Sequence, residues 1–232
     1  MIERLLKIKK SIHQFTGFSS DNKNSLRDPI FILLGLLFIL TLFAAYSNHF
    51  QNGFHFDDSH TIEDNKAITE VNVVTFFKDV TTFSTLPSNR SYRPYTTLEN
   101  AIDYKLGDGL DPLVFHIHIF IFFILTCAAL FLFVKKLLDS LEFSNYNQFW
   151  GLLIAASFGL LCANAETVNY IIQRSEIVAG FYVLLGFVAF LSGGIWRKWH
   201  LYLIFPFIGF FSKEMALVFS PLLFLYFLII SF

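Results

Sequence analysis

Charge is what this chain has least of. Asp, Glu, Lys and Arg make up 15% of its 232 residues, where a soluble domain carries about 25%. Hydrophobic residues make up 55% and the mean hydropathy is +0.57, a balance that points to lipid as the solvent. The net charge of -1 removes the electrostatic basis for bulk nucleic-acid binding. Cysteine is nearly absent. Cys127 and Cys162 both lie in apolar runs, which excludes a disulfide framework and zinc-type spacing, and both read as small buried hydrophobes. No cleavable signal peptide is expected either. Basic and polar residues fill positions 1–28, and the apolar run that follows is too long for a signal peptide and has no Ala-x-Ala site. A signal-anchor helix fits better.

What is present is a series of apolar runs. A bilayer core calls for about 20 apolar residues of helix, and backbone groups in lipid must be satisfied within the segment, so such runs read as helices. The first is Pro29–Ser47 and the second Leu113–Val134, ended by Lys135 and Lys136. The third covers Phe149–Ala163, the fourth Glu176–Leu191 before Gly193-Gly194, the fifth Leu201–Phe211 and the sixth Met215–Phe232. The predicted fold class is therefore all-α integral membrane, with six transmembrane helices and one long outer loop. The domain reading is a basic cytoplasmic N-terminus over 1–28 and a membrane domain over 29–232, with the loop at 48–112.

Lys and Arg near the span ends set orientation. Arg4, Lys7, Lys9, Lys10, Lys23 and Arg27 precede the first span, Lys135 and Lys136 follow the second, and Arg197 and Lys198 follow the fourth between Trp196 and Trp199. All fall on one side if every run crosses, and that side is predicted to be cytoplasmic. The loop 48–112 then lies outside. Val71, Val74, Phe77 and Val80–Phe83 recur at roughly helical spacing, as do Tyr95, Leu98, Ile102 and Leu106 after Pro94, a suitable first helical residue. These read as two amphipathic helices on the outer membrane surface. Gly107-Asp108-Gly109 reads as a turn before the second span.

Ionisable residues at membrane depth are costly, and are candidates for function. Asp57, Asp58, Arg93, His116, His118, Glu166, Arg174, Lys213 and Glu214 all sort to the outer side. A carboxylate there can act as general base toward a hydroxyl, while Arg and Lys hold a departing phosphate. Each residue also has a plainer reading. The acid pair can be solvated, Glu166 and Arg174 can form one ion pair across a turn, Lys213-Glu214 can be a polar turn, and the histidines can be hydrogen-bonded at a helix start.

Five motifs in order carry a family resemblance: Phe54-His55-Phe56-Asp57-Asp58; Ser91-Tyr92-Arg93-Pro94 running to Asp103-Tyr104-Lys105-Leu106; Leu110-Asp111-Pro112 with Phe115-His116; Glu166-Thr167-Val168-Asn169-Tyr170 with Gln173-Arg174-Ser175-Glu176; and Ser212-Lys213-Glu214-Met215-Ala216. Over residues 29–232 the chain resembles the N-terminal membrane region of GT-C-fold glycosyltransferases, in particular the transmembrane and tetratricopeptide-repeat O-mannosyltransferase-like proteins and their bacterial relatives. The resemblance implies transfer of a mannose-like sugar from a polyprenyl-phosphate donor to a protein or glycolipid hydroxyl, with inversion, in a bacterial inner membrane. It implies Asp57 or Asp58 as base and Arg93, His116, Glu166, Arg174, Lys213 and Glu214 as substrate-binding residues. It implies no cofactor, with metal independence favoured over a divalent ion. Two departures stand out. Leu161-Cys162 occupies the place where relatives carry His-Pro, and the chain ends inside an apolar run with no repeat, as a truncated form is expected to do. A non-catalytic scaffold or degenerate relative is the alternative. A transporter is disfavoured because the second, fourth and sixth runs are uniformly apolar.

Overall fold

The computed structural model describes residues 26–231, and these are helical with no strand among them. The basic segment Met1–Ser25, and with it half of the basic residues used for orientation, lies outside the described residues. The helices are α1 (Pro29–Ala45), α2 (Val73–Lys78), α3 (Pro94–Leu106), α4 (Pro112–Ser140), α5 (Asn147–Gly159), α6 (Asn164–Asn169), α7 (Arg174–Ser192), α8 (Gly194–Lys198), α9 (Ile204–Phe210) and α10 (Phe219–Ser231). Two of the helix starts follow the same local rule. Asp28 and Asp111 accept the Ile30 and Leu113 amides at 2.8 and 3.0 Å, and proline follows each at the first helical position, where its missing N–H costs nothing. α7 ends at Gly193, whose φ of +67° is open to glycine at no steric cost.

Two helical segments, Pro112–Ser140 and Ile171–Ser192, are long and apolar enough to cross a bilayer. The other runs are shorter than the sequence reading had them. α1 has 17 residues and α5 has 13, which at 1.5 Å per residue reach about 26 and 20 Å against a hydrocarbon core of about 30 Å. The last two runs are broken by short 3-10 turns at Leu201–Leu203 and Glu214–Val218, with an extended Lys213 between them. α4, in contrast, runs past Lys135 and Lys136 to Ser140. Lys135 pairs with Asp139 one turn on at 2.5 Å, and Asp139 also accepts from Asn147 of α5 at 2.9 Å, so the pair of lysines does not end the helix.

α4 packs between α5 and α7, α1 lies on α5, and α9 lies on α7. Leu42, Tyr46, Phe120, Phe123 and Ile177 form one core, and Val183, Phe187, Phe190 and Phe219 form a second. Gly186 of α7 is what permits the second, because a Cβ there would stand 2.9 Å from the Phe219 ring and 3.0 Å from Pro206. Cys127 is buried as expected, whereas Cys162 is exposed.

The segment 48–112 differs from its expected form in one respect that matters. α3 matches its predicted start at Pro94 and end at Leu106, but its amphipathicity is reversed. Thr96, Thr97, Glu99, Asn100 and Asp103 are buried, while Ile102 is exposed and Leu106 is 72% exposed. The first amphipathic pattern yields only the six-residue α2 and a turn at Val80–Thr82. The polar face of α3 turns inward because Arg174, at the head of α7, is itself inward. Arg174 and Asp103 form a 2.5 Å ion pair with side chains 2% and 0% exposed, and His118 of α4 adds a second contact to Asp103 at 2.6 Å. The Glu166–Arg174 pair, the plainer alternative for these two residues, is therefore not the one formed.

Removing one member of a buried pair leaves the other charged and unsolvated. Asp103→Asn is expected to cost about 3–5 kcal/mol, and an Asp103→Leu/Arg174→Met double variant to recover most of it, measured by thermal unfolding in lipid nanodiscs. Glu99 offers a second test. It is fully enclosed, and neither carboxylate oxygen has a hydrogen-bond partner among the described residues. Burial pushes its carboxyl up to about 8, with Arg174 opposing and Asp103 adding. A folded value above the unfolded one means that stability is complete in acid and falls as pH rises from about 4.5 to about 8. Glu99→Gln is expected to abolish that slope, which for one group amounts to at most about 1.4 kcal/mol per pH unit.

Candidate active site

Three sets of cross-links bring distant parts of the chain to one place. The Tyr95 amide donates to the Phe211 carbonyl at 3.1 Å, and the Thr96 hydroxyl reaches the Ser212 carbonyl and hydroxyl at 3.2 Å each. These fix the start of α3 on the turn after α9 and set Arg93 beside Lys213 and Glu214. The Ile172 amide, just before α7, donates to one oxygen of Asp58 at 3.0 Å. The Asp57 amide donates to the Tyr170 hydroxyl at 2.8 Å. The result is a cleft of about 340 Å³ lined by Asp57, His60, Asn89, Arg93, Lys213 and neighbours that include Ser88, Ser91 and Gln173.

The two aspartates have different environments. Asp58 is fully buried. One oxygen takes the Ile172 amide and the other the His55 amide at 3.0 Å, so its lone pairs hold the backbone. Burial pushes its carboxyl up to about 6 against the opposing pull of those two amides and of Arg174. Asp57 lines the cleft with its side chain 55% exposed. Its partner is His60, whose Nε2 stands 3.3 Å from the carboxylate and 3.1 Å from the Asn89 amide nitrogen, with Nδ1 2.9 Å from the Ser84 hydroxyl. Of the pair, Asp57 alone faces the open space.

Both cations in the cleft already have acidic neighbours. Arg93 lies 3.4 Å from Glu214 and over the Phe83 ring at 5.4 Å, and its buried Nε has no partner among the described residues. Lys213 is in contact with Glu176 of α7. The remaining sequence candidates lie elsewhere. Arg174 is spent on Asp103. His116 is buried and makes a long 3.4 Å contact to the Gly53 carbonyl, while its own carbonyl accepts from His49 at 2.8 Å. Glu166 is exposed on α6 and does not line the cleft. His118 holds Asp103. His60 was missed by the sequence reading. Its signal was the acid-x-x-His spacing from Asp57, one helical turn apart. Asn89 and Ser88 carried no signal beyond sitting in a polar loop, and Ser91 entered only as part of the Ser91-Tyr92-Arg93-Pro94 motif. No group of three residues suited to a metal ion occurs among the described residues.

Phe56, immediately before Asp57, has φ +49°. For a bulky side chain that backbone costs on the order of 1 kcal/mol or more.

No protein-family model matches the chain, and no solved structure matches it. Among curated proteins it is similar to human protein O-mannosyl-transferase TMTC3, 26% identical over 151 residues, which is 63% of this chain and 16% of that protein. The mouse protein of the same name is 25% identical over 158 residues, 66% of this chain and 16% of that protein. The relation to these transferases is distant. The chain spans about a sixth of the length of the curated relatives it matches.

The two aspartates are expected to part in stability as well as in position. Asp58→Asn places an N–H donor against a backbone N–H and is expected to cost about 1–3 kcal/mol. Asp57→Asn, at a half-exposed side chain, is expected to stay within about 0.5 kcal/mol of the parent. Denaturation of the two variants side by side checks both.

Proposed function

We propose that this chain is the membrane module of a GT-C-like glycosyltransferase. It moves a mannose-like sugar from a polyprenyl-phosphate donor to a hydroxyl of a protein or glycolipid on the extracytoplasmic face. The observation that carries the reading is the cleft itself, where a single accessible carboxylate, Asp57, shares about 340 Å³ with Arg93 and Lys213. Its place agrees with the charge pattern. The cleft lies at the heads of α4 and α7, and Lys135, Lys136, Arg197 and Lys198 lie at or beyond the far ends of those helices, on the side that the positive-inside rule makes cytoplasmic.

The chemistry follows from the roles that such groups can play. Asp57 accepts the proton of the acceptor hydroxyl. The hydroxyl oxygen bonds to the anomeric carbon as the carbon–oxygen bond to phosphate breaks, and the electron pair departs with the phosphate. Attack from the face opposite the leaving group inverts the configuration. Arg93 and Lys213 meet the charge that grows on the phosphate, where fixed cations contribute most. No metal is needed for this scheme. Asp58 acts one step removed, by holding the loop that presents Asp57.

One observation favours the second reading, a non-catalytic scaffold. Leu161 and Cys162 are exposed where related enzymes are expected to carry His-Pro, and Glu166 stays outside the cleft. The readings are separated in the full-length protein. Asp57→Asn is expected to lower transfer by about 10²-fold or more with membrane insertion intact, and a photoreactive polyprenyl phosphate is expected to label near Arg93. Transfer equal to wild type in Asp57→Asn rules out the base. Wild-type protein that neither transfers nor labels leaves the scaffold.

A further inference from the structure

Phe56 is the residue that packing explains least. A φ of +49° favours glycine, and a phenylalanine held there is strained. Its side chain is 86% exposed, so the core gains little from it. The conformation is nevertheless well held. The Phe56 carbonyl accepts the Ser59 amide at 3.2 Å and the Ser59 hydroxyl at 2.8 Å. The ring stands edge-on to Tyr170, 5.8 Å between centroids and 77° between planes, and the Tyr170 hydroxyl is the group that accepts the Asp57 amide. A flat apolar ring is thus set in a fixed orientation, open to solvent, one residue from the carboxylate that faces the cleft.

We propose that Phe56, next in sequence to the cleft-lining Asp57, is a stacking platform for a hexopyranose, an assignment that rests on the glycosyl-transfer reading above. A hexopyranose presents one face rich in C–H groups. An aromatic face is electron-rich and attracts such weakly polarised C–H groups while covering apolar area. The rim of hydroxyls then meets the polar side chains of the cleft, among them Ser88, Asn89 and Ser91. A peptide segment has no comparable flat C–H face. Burial in lipid is the competing use of an exposed phenylalanine, but Asp57 follows directly, and drawing Phe56 into hydrocarbon would draw that carboxylate with it at high cost. The sugar has two sources, the donor and a glycolipid acceptor.

The test is saturation-transfer NMR on the full-length protein in lipid nanodiscs with methyl α-mannopyranoside, which needs no turnover. The sugar ring-proton signal is expected to fall about threefold to tenfold in Phe56→Ala and Phe56→Leu, and to persist in Phe56→Tyr. Phe56→Gly, relieved of strain, is expected to melt no lower than the parent. Steady-state kinetics of Phe56→Ala then assign the source, by a raised KM for the donor or for a glycolipid acceptor. An unchanged NMR signal in Phe56→Ala overturns the platform. So does quenching of Phe56→Trp by brominated lipids, which places the ring in the bilayer, or a lower melting temperature for Phe56→Gly, which makes the ring a folding element. Absence of transfer in every protein, wild type included, with the sugar signal intact sinks the reaction and leaves the platform standing.

Discussion

The ion pair between Asp103 and Arg174 is the contact on which the cleft-bearing half of this molecule depends. Both side chains are out of contact with solvent, so each is tolerable only because of the other. α3 packs Ala101, Leu98 and Tyr104 against Ile68, Phe76 and Phe115, yet most of the side chains it buries are polar. Charge pairing and the hydrogen bonds of Tyr95, Thr96 and His118 add to that small apolar contact. Because α3 is held at Asp103, its first turn reaches the turn after α9 and delivers Arg93. Because the head of α7 is held at Arg174, the Ile172 amide is in place to bind Asp58. The two halves of the cleft are therefore set by one buried interaction that belongs to neither.

The division of labour between the adjacent aspartates follows from the same arrangement. A carboxylate whose two oxygens each accept a backbone amide is a structural part, whatever its charge. Its neighbour, displaced by one residue on a tight turn, points the other way into open space. Acid pairs of this kind are hard to apportion by chemistry alone, since both members have the same functional group. Here the backbone does the apportioning, and the strained Phe56 is part of the turn that makes it possible.

Much of the helical layout was legible because its signals are local. Asp-Pro at the starts of α1 and α4, Pro94 at the start of α3, and Gly193 after α7 each act through one or two residues. The identity of the outer residues that meet was legible only in part. Asp57, Arg93, Lys213 and Glu214 were named, and they do gather in one place. The partner of Arg174 was misread because Asp103 lies 71 residues away, whereas Glu166 was close in sequence. The reversed face of α3 was misread because periodicity records which residues share a side and not what that side meets. The length of regular helix in the later runs was overestimated because hydropathy is blind to the 3-10 turns at Leu201–Leu203 and Glu214–Val218, which are nearly as apolar as the helices they precede. His60 escaped notice because a lone histidine in a polar loop has no weight until Asp57 and Ser84 are seen on either side of it.

The two cations of the cleft each carry a carboxylate partner, and the partners differ in their access to water. Glu214 has 65% of its side chain exposed, whereas Glu176 has 27%. An anion entering the cleft therefore takes part in an exchange of counter-ions, not a simple addition. Glu214 rehydrates readily when displaced from Arg93, and Glu176 does so poorly when displaced from Lys213. The exchange has an order, with Arg93 freed first. The paired acids offset the charge of both cations, so any anion that reaches Arg93 or Lys213 must compete with a carboxylate already there.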